Sequence, residues 1–125
     1  MVRVFKTRAF SRFVRKQRVT DEALCDAVSR AERGLIDADL GGGVIKQRVA
    51  RPGQGRSGGF RTLIAFKVGK RYVFIFGFAK NETDNITGQE LEDLRKAAKV
   101  YLALSDYDLD LAVKEQRLTE LECDG

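Results

Sequence analysis

No histidine occurs in the chain. Its absence removes the usual general base, the usual metal ligand and every Ser–His or Cys–His nucleophile arrangement. Cysteine is nearly absent too, with Cys25 and Cys123 near opposite ends and no C-x-x-C spacing. Such a pair is read as two separate reduced thiols, without a structural metal, and Cys25 as a small packing residue. No apolar run reaches the roughly 18–20 residues of a membrane span, and the first residues, MVRVFKTRAF, lack the apolar core of a secretory leader. These absences predict a cytoplasmic protein with no membrane partner and no cofactor. Acids are scarce in two stretches. Residues 1–18 hold seven cations and no acid, and residues 44–82 hold nine cations with Glu82 as their one acid. From Asp84 onward the balance reverses, with eleven acids against five cations. A basic front on a chain of net charge +5 implies an anionic partner.

What is present is a chain of 125 residues, 43% hydrophobic and 33% charged, which is the size and composition of one globular domain. Val2–Lys6 alternates as a strand. Thr7 caps a helix over 8–17 whose apolar stripe is Phe10, Phe13 and Val14. Thr20 caps a second helix, with Asp21 and Glu22 in its first turn, a stripe of Leu24, Ala27, Val28 and Ala31, and Gly34 as its stop. Residues 35–43 are a connector ending in three glycines.

Residues 44–82 alternate as three strands, and one face of this meander is expected to be packed and the other open to a polyanion. Residues 53–58 fit G-x-G-x-x-G, but a β-rich run follows where a dinucleotide site needs a helix, so the glycines are read as a flexible loop. On that loop Arg51 and Arg56 either reach a phosphate or are solvated. Tyr72–Ala79 is a nearly continuous apolar strand in which Gly77 permits close approach or a bulge. Thr87 with Glu90 is a capping box for a third helix to about Leu104, and Ser105 starts a short fourth. Residues 118–123 fit a last strand or a loose tail. A helical pair before a three-stranded meander implies an α+β domain.

Lys46-Gln47-Arg48-Val49-Ala50, the glycine loop ending in Gly58-Gly59-Phe60-Arg61, and Gly77-Phe78-Ala79-Lys80-Asn81-Glu82 recur in this order in a known group. On these residues the chain resembles the RelE/ParE superfamily of toxins from bacterial toxin–antitoxin pairs, and within it the HigB-like branch. The resemblance implies a RelE-like α+β fold of order β-α-α-β-β-β-α, with a helical hairpin packed on a small antiparallel sheet and an extra C-terminal helix. It places the toxin domain at 1–104 and a C-terminal extension on the same domain at 105–125. It implies an mRNA endonuclease acting on the ribosome, metal-independent and held inactive by an antitoxin protein. It puts the catalytic roles on Lys46, Arg48, Arg61 and Lys80, with Arg51 and Arg56 as RNA contacts. Asn81 stands where the best-known members carry a further arginine, and no late tyrosine occupies the region of Thr87.

The chemistry of these residues suits that role. Arginine forks match phosphate oxygens, and lysine can exchange a proton. Alternation puts Lys46 and Arg48 on one face. Tyr72 or Phe78 would stack a base, against the reading that both are core. Two other classes stay open: a nucleic-acid-binding domain that holds phosphate without cleaving it, and a gyrase-inhibiting ParE-like toxin, against which the joint presence of Lys46, Arg48 and Arg61 argues.

Overall fold

The computed structural model describes residues 2–51, 53, 55–79 and 86–123, with only the backbone at 55–57. The described elements run β1 (Arg3–Thr7), α1 (Arg8–Gln17), α2 (Asp21–Glu32), β2 (Ala38–Gly41), β3 (Val44–Arg51), β4 (Gly55–Lys67), β5 (Arg71–Ala79), α3 (Gly88–Ala103), α4 (Asp106–Lys114) and β6 (Leu118–Leu121). The helices begin at the caps expected of them. Thr7 Oγ1 accepts from the Phe10 amide at 3.2 Å, Thr20 Oγ1 from Ala23 at 3.1 Å, and Ser105 Oγ from Asp108 at 3.1 Å. At α3 the capping box is complete, since Glu90 also accepts from the Thr87 amide. Each cap satisfies an amide that the helix itself leaves without a partner.

The six strands form one sheet in the order β2-β3-β4-β5-β1-β6. β3, β4 and β5 make the expected meander, but the sheet is mixed and not purely antiparallel. β1 enters beside β5 in parallel, with Val4 opposite Tyr72, and β6 closes the far edge antiparallel to β1. The connector contains the edge strand β2, and the last stretch is a strand and not a tail.

Both faces are covered, which corrects the expectation of one open face. α1 and α2 bury Phe10, Val14, Leu24, Val28 and Ala31 against Ile45, Val49, Phe60, Ile64, Tyr72 and Phe74. On the other face, Ala98 of α3 and Leu109 and Ala112 of α4 pack with Phe5, Val44, Leu63, Ala65 and Val73. At roughly 1.5–3 kcal/mol for each large side chain removed from water, neither layer is optional to the fold.

Two features follow from close approaches. The glycine segment is not a flexible loop: β4 begins at Gly55, so most of it lies in the strand. The β3–β4 register shifts between Val49 and Arg51, and a Cβ at Gly59 would overlap the Val49 carbonyl oxygen. Gly59→Ala is therefore expected to force the strands apart and destabilise the protein by about 1–3 kcal/mol, read as a lower midpoint in urea. At Gly77 a Cβ would stand 2.6 Å from the Phe13 ring, so the glycine lets α1 sit directly on β5.

The cysteines overturn the sequence reading. Cys25 on α2 and Cys123 beyond β6 are joined in a disulfide across 98 residues of sequence, with their Cα atoms 5.5 Å apart. Two positions that sequence order keeps remote become neighbours because β6 folds back along β1 beneath the helical hairpin. No helix among the described residues is long and apolar enough to cross a membrane.

Candidate functional site

Past the cover of α3 and α4, the outer ends of β3, β4 and β5 carry the cations. Arg48 and Arg61 are directly paired across β3 and β4, and Arg61 is paired in turn with Phe78 on β5. One step inward, Lys46 faces Leu63, which faces Phe76. Direct partners share a face, and residues two apart on a strand do too. Lys46, Arg48 and Arg61 therefore project from the face that α3 and α4 cover, with facing Cα atoms roughly 4.5–5.5 Å apart. Lys46 and Arg61 are half-buried and Arg48 is exposed.

Arg48 is held from behind. Asp37 accepts its amide at 2.6 Å and its guanidinium at 3.1 Å. Asp37 is placed by Gln47, whose Oε1 accepts the Asp37 amide at 2.7 Å and whose Nε2 donates to Ala27 and Leu35 carbonyls at 3.0 and 3.2 Å. Arg30 of α2 donates to the Arg48 carbonyl and to Asp26, and lies 3.8 Å from Asp37. Burial pushes the Asp37 carboxyl up, but the hydrogen bonds from Arg48 and the charges of Arg48 and Arg30 outweigh it and hold the carboxyl below its usual range. Its ionised form therefore persists at neutral pH as a fixed brace. Sequence reading missed this support. Its signal was Gln47, a polar residue at an inward-facing position of a strand, which needs buried partners.

Arg61 has no such brace. Its Nη1 is buried and makes no hydrogen bond among the described residues. A guanidinium nitrogen in that state is costly to leave unpaired.

The other expected residues separate. Arg51 places its guanidinium 5.1 Å from the centre of the Phe60 ring, a ring that belongs to the α1–α2 face, so it leaves the sheet away from Arg48 and Arg61. The Arg56 side chain and all of Lys80, Asn81 and Glu82 lie outside the described residues. Tyr72 cannot stack a base. It is fully buried under the hairpin and donates to Glu32 at 2.6 Å, and burial first, then Glu32, pushes its hydroxyl pKa well up. Phe78 is only 6% exposed, whereas Phe76, which sequence reading passed over, is 43% exposed. The reason is a bulge: Leu63 pairs with Phe76 but Ile64 with Phe74, so Ile75 is the extra residue and the faces switch. Phe76 lies 5.9 Å from Phe78, ring centre to ring centre, and lines a hollow of about 210 Å³ with Ile86, Glu90, Asp93 and Leu94. Among the described residues the site thus combines three cations with one accessible aromatic. Among the described residues no group of three His, Cys, Asp or Glu is placed to hold a metal ion.

The family model described as RelE toxin of the RelE / RelB toxin-antitoxin system matches residues 2–121. No curated protein matches the chain.

Proposed function

The chain belongs to the RelE toxin family, and from that premise we propose that it cleaves messenger RNA on the ribosome, with Lys46, Arg48 and Arg61 as its phosphate-handling groups. As a family member it is the toxin of a toxin–antitoxin system, and its partner is an antitoxin protein. The observation that carries the proposal is the direct pairing of Arg48 with Arg61 beside Lys46 on one face.

RNA cleavage from within needs the 2′-oxygen to attack the adjacent phosphorus, a proton to leave that hydroxyl, and the 5′-oxygen to depart with a proton. The products are a 2′,3′-cyclic phosphate and a free 5′-hydroxyl, and no metal is required. Two arginines across a strand pair suit the non-bridging oxygens, where negative charge gathers in the pentacovalent transition state. Lys46, or Lys80 at the end of the Gly77–Glu82 motif, is assigned the proton transfers, because arginine does not give up its proton. Phe76 is placed to stack the base beside the cut, as single-stranded RNA recognition commonly uses. Arg51 and Arg56 are assigned to RNA outside the cleavage cluster, with Arg51 on the opposite face. The K-x-R-V-A, G-G-x-R and G-x-x-K-N-E strings support placement in the HigB-like branch. A cluster that relies on lysine for its proton transfers gains from a substrate held in line from outside, which supports the ribosome as the cleavage setting.

The test is purified toxin added to ribosomes programmed with a defined message, with cut sites mapped by primer extension. Cutting should occur on the ribosome and stop at a stoichiometric amount of antitoxin. Binding to ribosomes should fall roughly 100-fold between 50 and 200 mM salt if about five phosphates are neutralised. Affinity indifferent to salt would contradict the electrostatic basis of the reading.

A further inference from the structure

The second half of α3 differs in charge from the first. Residues 94–105 hold three cations and no acid. Lys96, Lys99 and Ala103 follow one another at i, i+3 and i+7, so they share one side of the helix, and all three are exposed. Val100 lies on the same side and is 60% exposed, which extends an apolar strip along it. The turn between β2 and β3 runs alongside. Between turn and helix is a hollow of about 600 Å³, lined by Gly42, Gly43, Leu102 and Ala103 together with the cations Arg95, Lys96 and Lys99. The hollow is built into the fold. Gly42 and Gly43 have φ of 63° and 82°, and a Cβ at Gly43 would stand 2.7 Å from Leu102 Cδ1, so the turn rests directly on α3. Arg95 donates to the Leu40 carbonyl at 3.2 Å and pairs with Glu92 at 2.6 Å, which ties helix to strand and commits its guanidinium. Lys96 and Lys99 have no ion pair among the described residues.

We propose that this hollow between α3 and the β2–β3 turn seats a helical segment of the antitoxin, one that carries acids a turn apart and an apolar side chain a turn further on. The partner that comes with the family is a protein. The lining sets exposed ammonium groups beside apolar surface, and a segment with both carboxylates and an apolar anchor complements the two together. RNA backbone is disfavoured, because arginine forks match phosphate oxygens best and the arginine of this hollow is committed within the fold. The lining also has no ring on which a base could stack. A helix is favoured over an added strand, because the turn offers little open ladder: the Gly43 carbonyl accepts from the Phe66 amide, and that of Leu40 accepts from Arg95. From Lys96 to Ala103 the helix α3 rises roughly 10 Å, which two turns of a partner helix would span. The hollow also stands off from the catalytic cluster. Gly43 precedes Arg48 by five residues, roughly 16 Å along the strand. A segment seated here grips the toxin without touching Arg48 or Arg61.

The antitoxin partner is the premise here and RNA cleavage is not, so binding alone decides it. The experiment measures the dissociation constant of the cognate antitoxin, recovered from the co-expressed complex, for the full chain and three variants. Lys96→Glu/Lys99→Glu reverses the charge of the hollow, Ala103→Trp fills it, and Lys96→Arg/Lys99→Arg keeps its charge. All three positions are exposed, so the urea midpoints should stay near that of the unaltered chain. The reversed pair and the filled hollow should each weaken binding roughly tenfold or more, and the arginine pair should stay within about threefold. Hydrogen exchange on the unaltered complex needs no variant: the amides of 97–103 should slow when the antitoxin binds. Antitoxin affinity within about threefold of the unaltered chain's in either the reversed or the filled variant would overturn the proposal. So would exchange at 97–103 that the antitoxin leaves unslowed. Antitoxin binding kept by Ala103→Trp while RNA binding or self-association is lost would overturn it too, and would give the hollow to RNA or to a second copy of the chain.

Discussion

Arg61→Ala is expected to abolish growth inhibition without weakening the fold. The two readouts should part because of where Arg61 stands. Its Nη1 is buried and has no hydrogen-bond partner among the described residues, so truncation removes a desolvated donor and breaks no hydrogen bond seen among them. Leaving such a group unpaired costs about 1–3 kcal/mol, and its removal offsets the packing that the side chain supplied. The urea midpoint should therefore stay level or rise. Function should move the other way. Loss of one preorganised donor to a developing oxyanion typically lowers the rate about 10²–10³-fold, and induced expression of the variant should no longer arrest growth. Arg48→Ala should behave differently. Arg48 is tied to Asp37, so the variant keeps the backbone amide bond to that carboxylate but removes its guanidinium partner, leaving the more distant Arg30 as its charge partner, and should lose some stability along with activity. Growth arrest by Arg61→Ala equal to that of the unaltered chain would count against the cleavage cluster.

Reduction of the Cys25–Cys123 bond should lower stability by about 2–4 kcal/mol. The bond closes a loop across 98 of the 125 residues, and chain-entropy arguments put the largest effects on the longest loops. It also fastens β6, a strand of only four residues at the sheet edge, to α2. Without it, β6 keeps its pairing with β1 and the ion pairs of Arg3 to Asp106, Asp110 and Glu120. These are partly exposed, and exposed ion pairs contribute little each. Cys123→Ser and the reduced chain should therefore show the same lowered midpoint in urea, and reductant should not lower Cys123→Ser further. Identical midpoints with and without reductant in the unaltered chain would contradict a stabilising bond.

How much of this was legible in the sequence depended on how local its cause was. Helix starts at Thr7, Thr20, Thr87 and Ser105 were readable, because a cap is a matter of three or four neighbouring residues. The pairing of Arg48 with Arg61 was nearly so, since alternation through a meander brings such positions to one face. The parallel entry of β1 beside β5 was not, because nothing near Arg3–Thr7 encodes a partner almost seventy residues away. The disulfide was hidden for the same reason. Phe76 was missed through a single extra residue: strict alternation from Tyr72 and Phe74 buries it, and the bulge at Ile75 turns it outward. The brace on Arg48 was hidden because Asp37 lies in a connector, where a lone acid carries no periodic signal.

The central claim is that the face holding Lys46, Arg48 and Arg61 cuts messenger RNA on the ribosome. The most direct measurement is primer extension on ribosome-bound message exposed to the unaltered toxin and to Arg61→Ala, with ribosome binding of both followed in parallel. The account predicts discrete cuts with 5′-hydroxyl ends from the unaltered toxin, and an intact message from Arg61→Ala that still binds. An intact message under both proteins, or equal cutting by both, would contradict it.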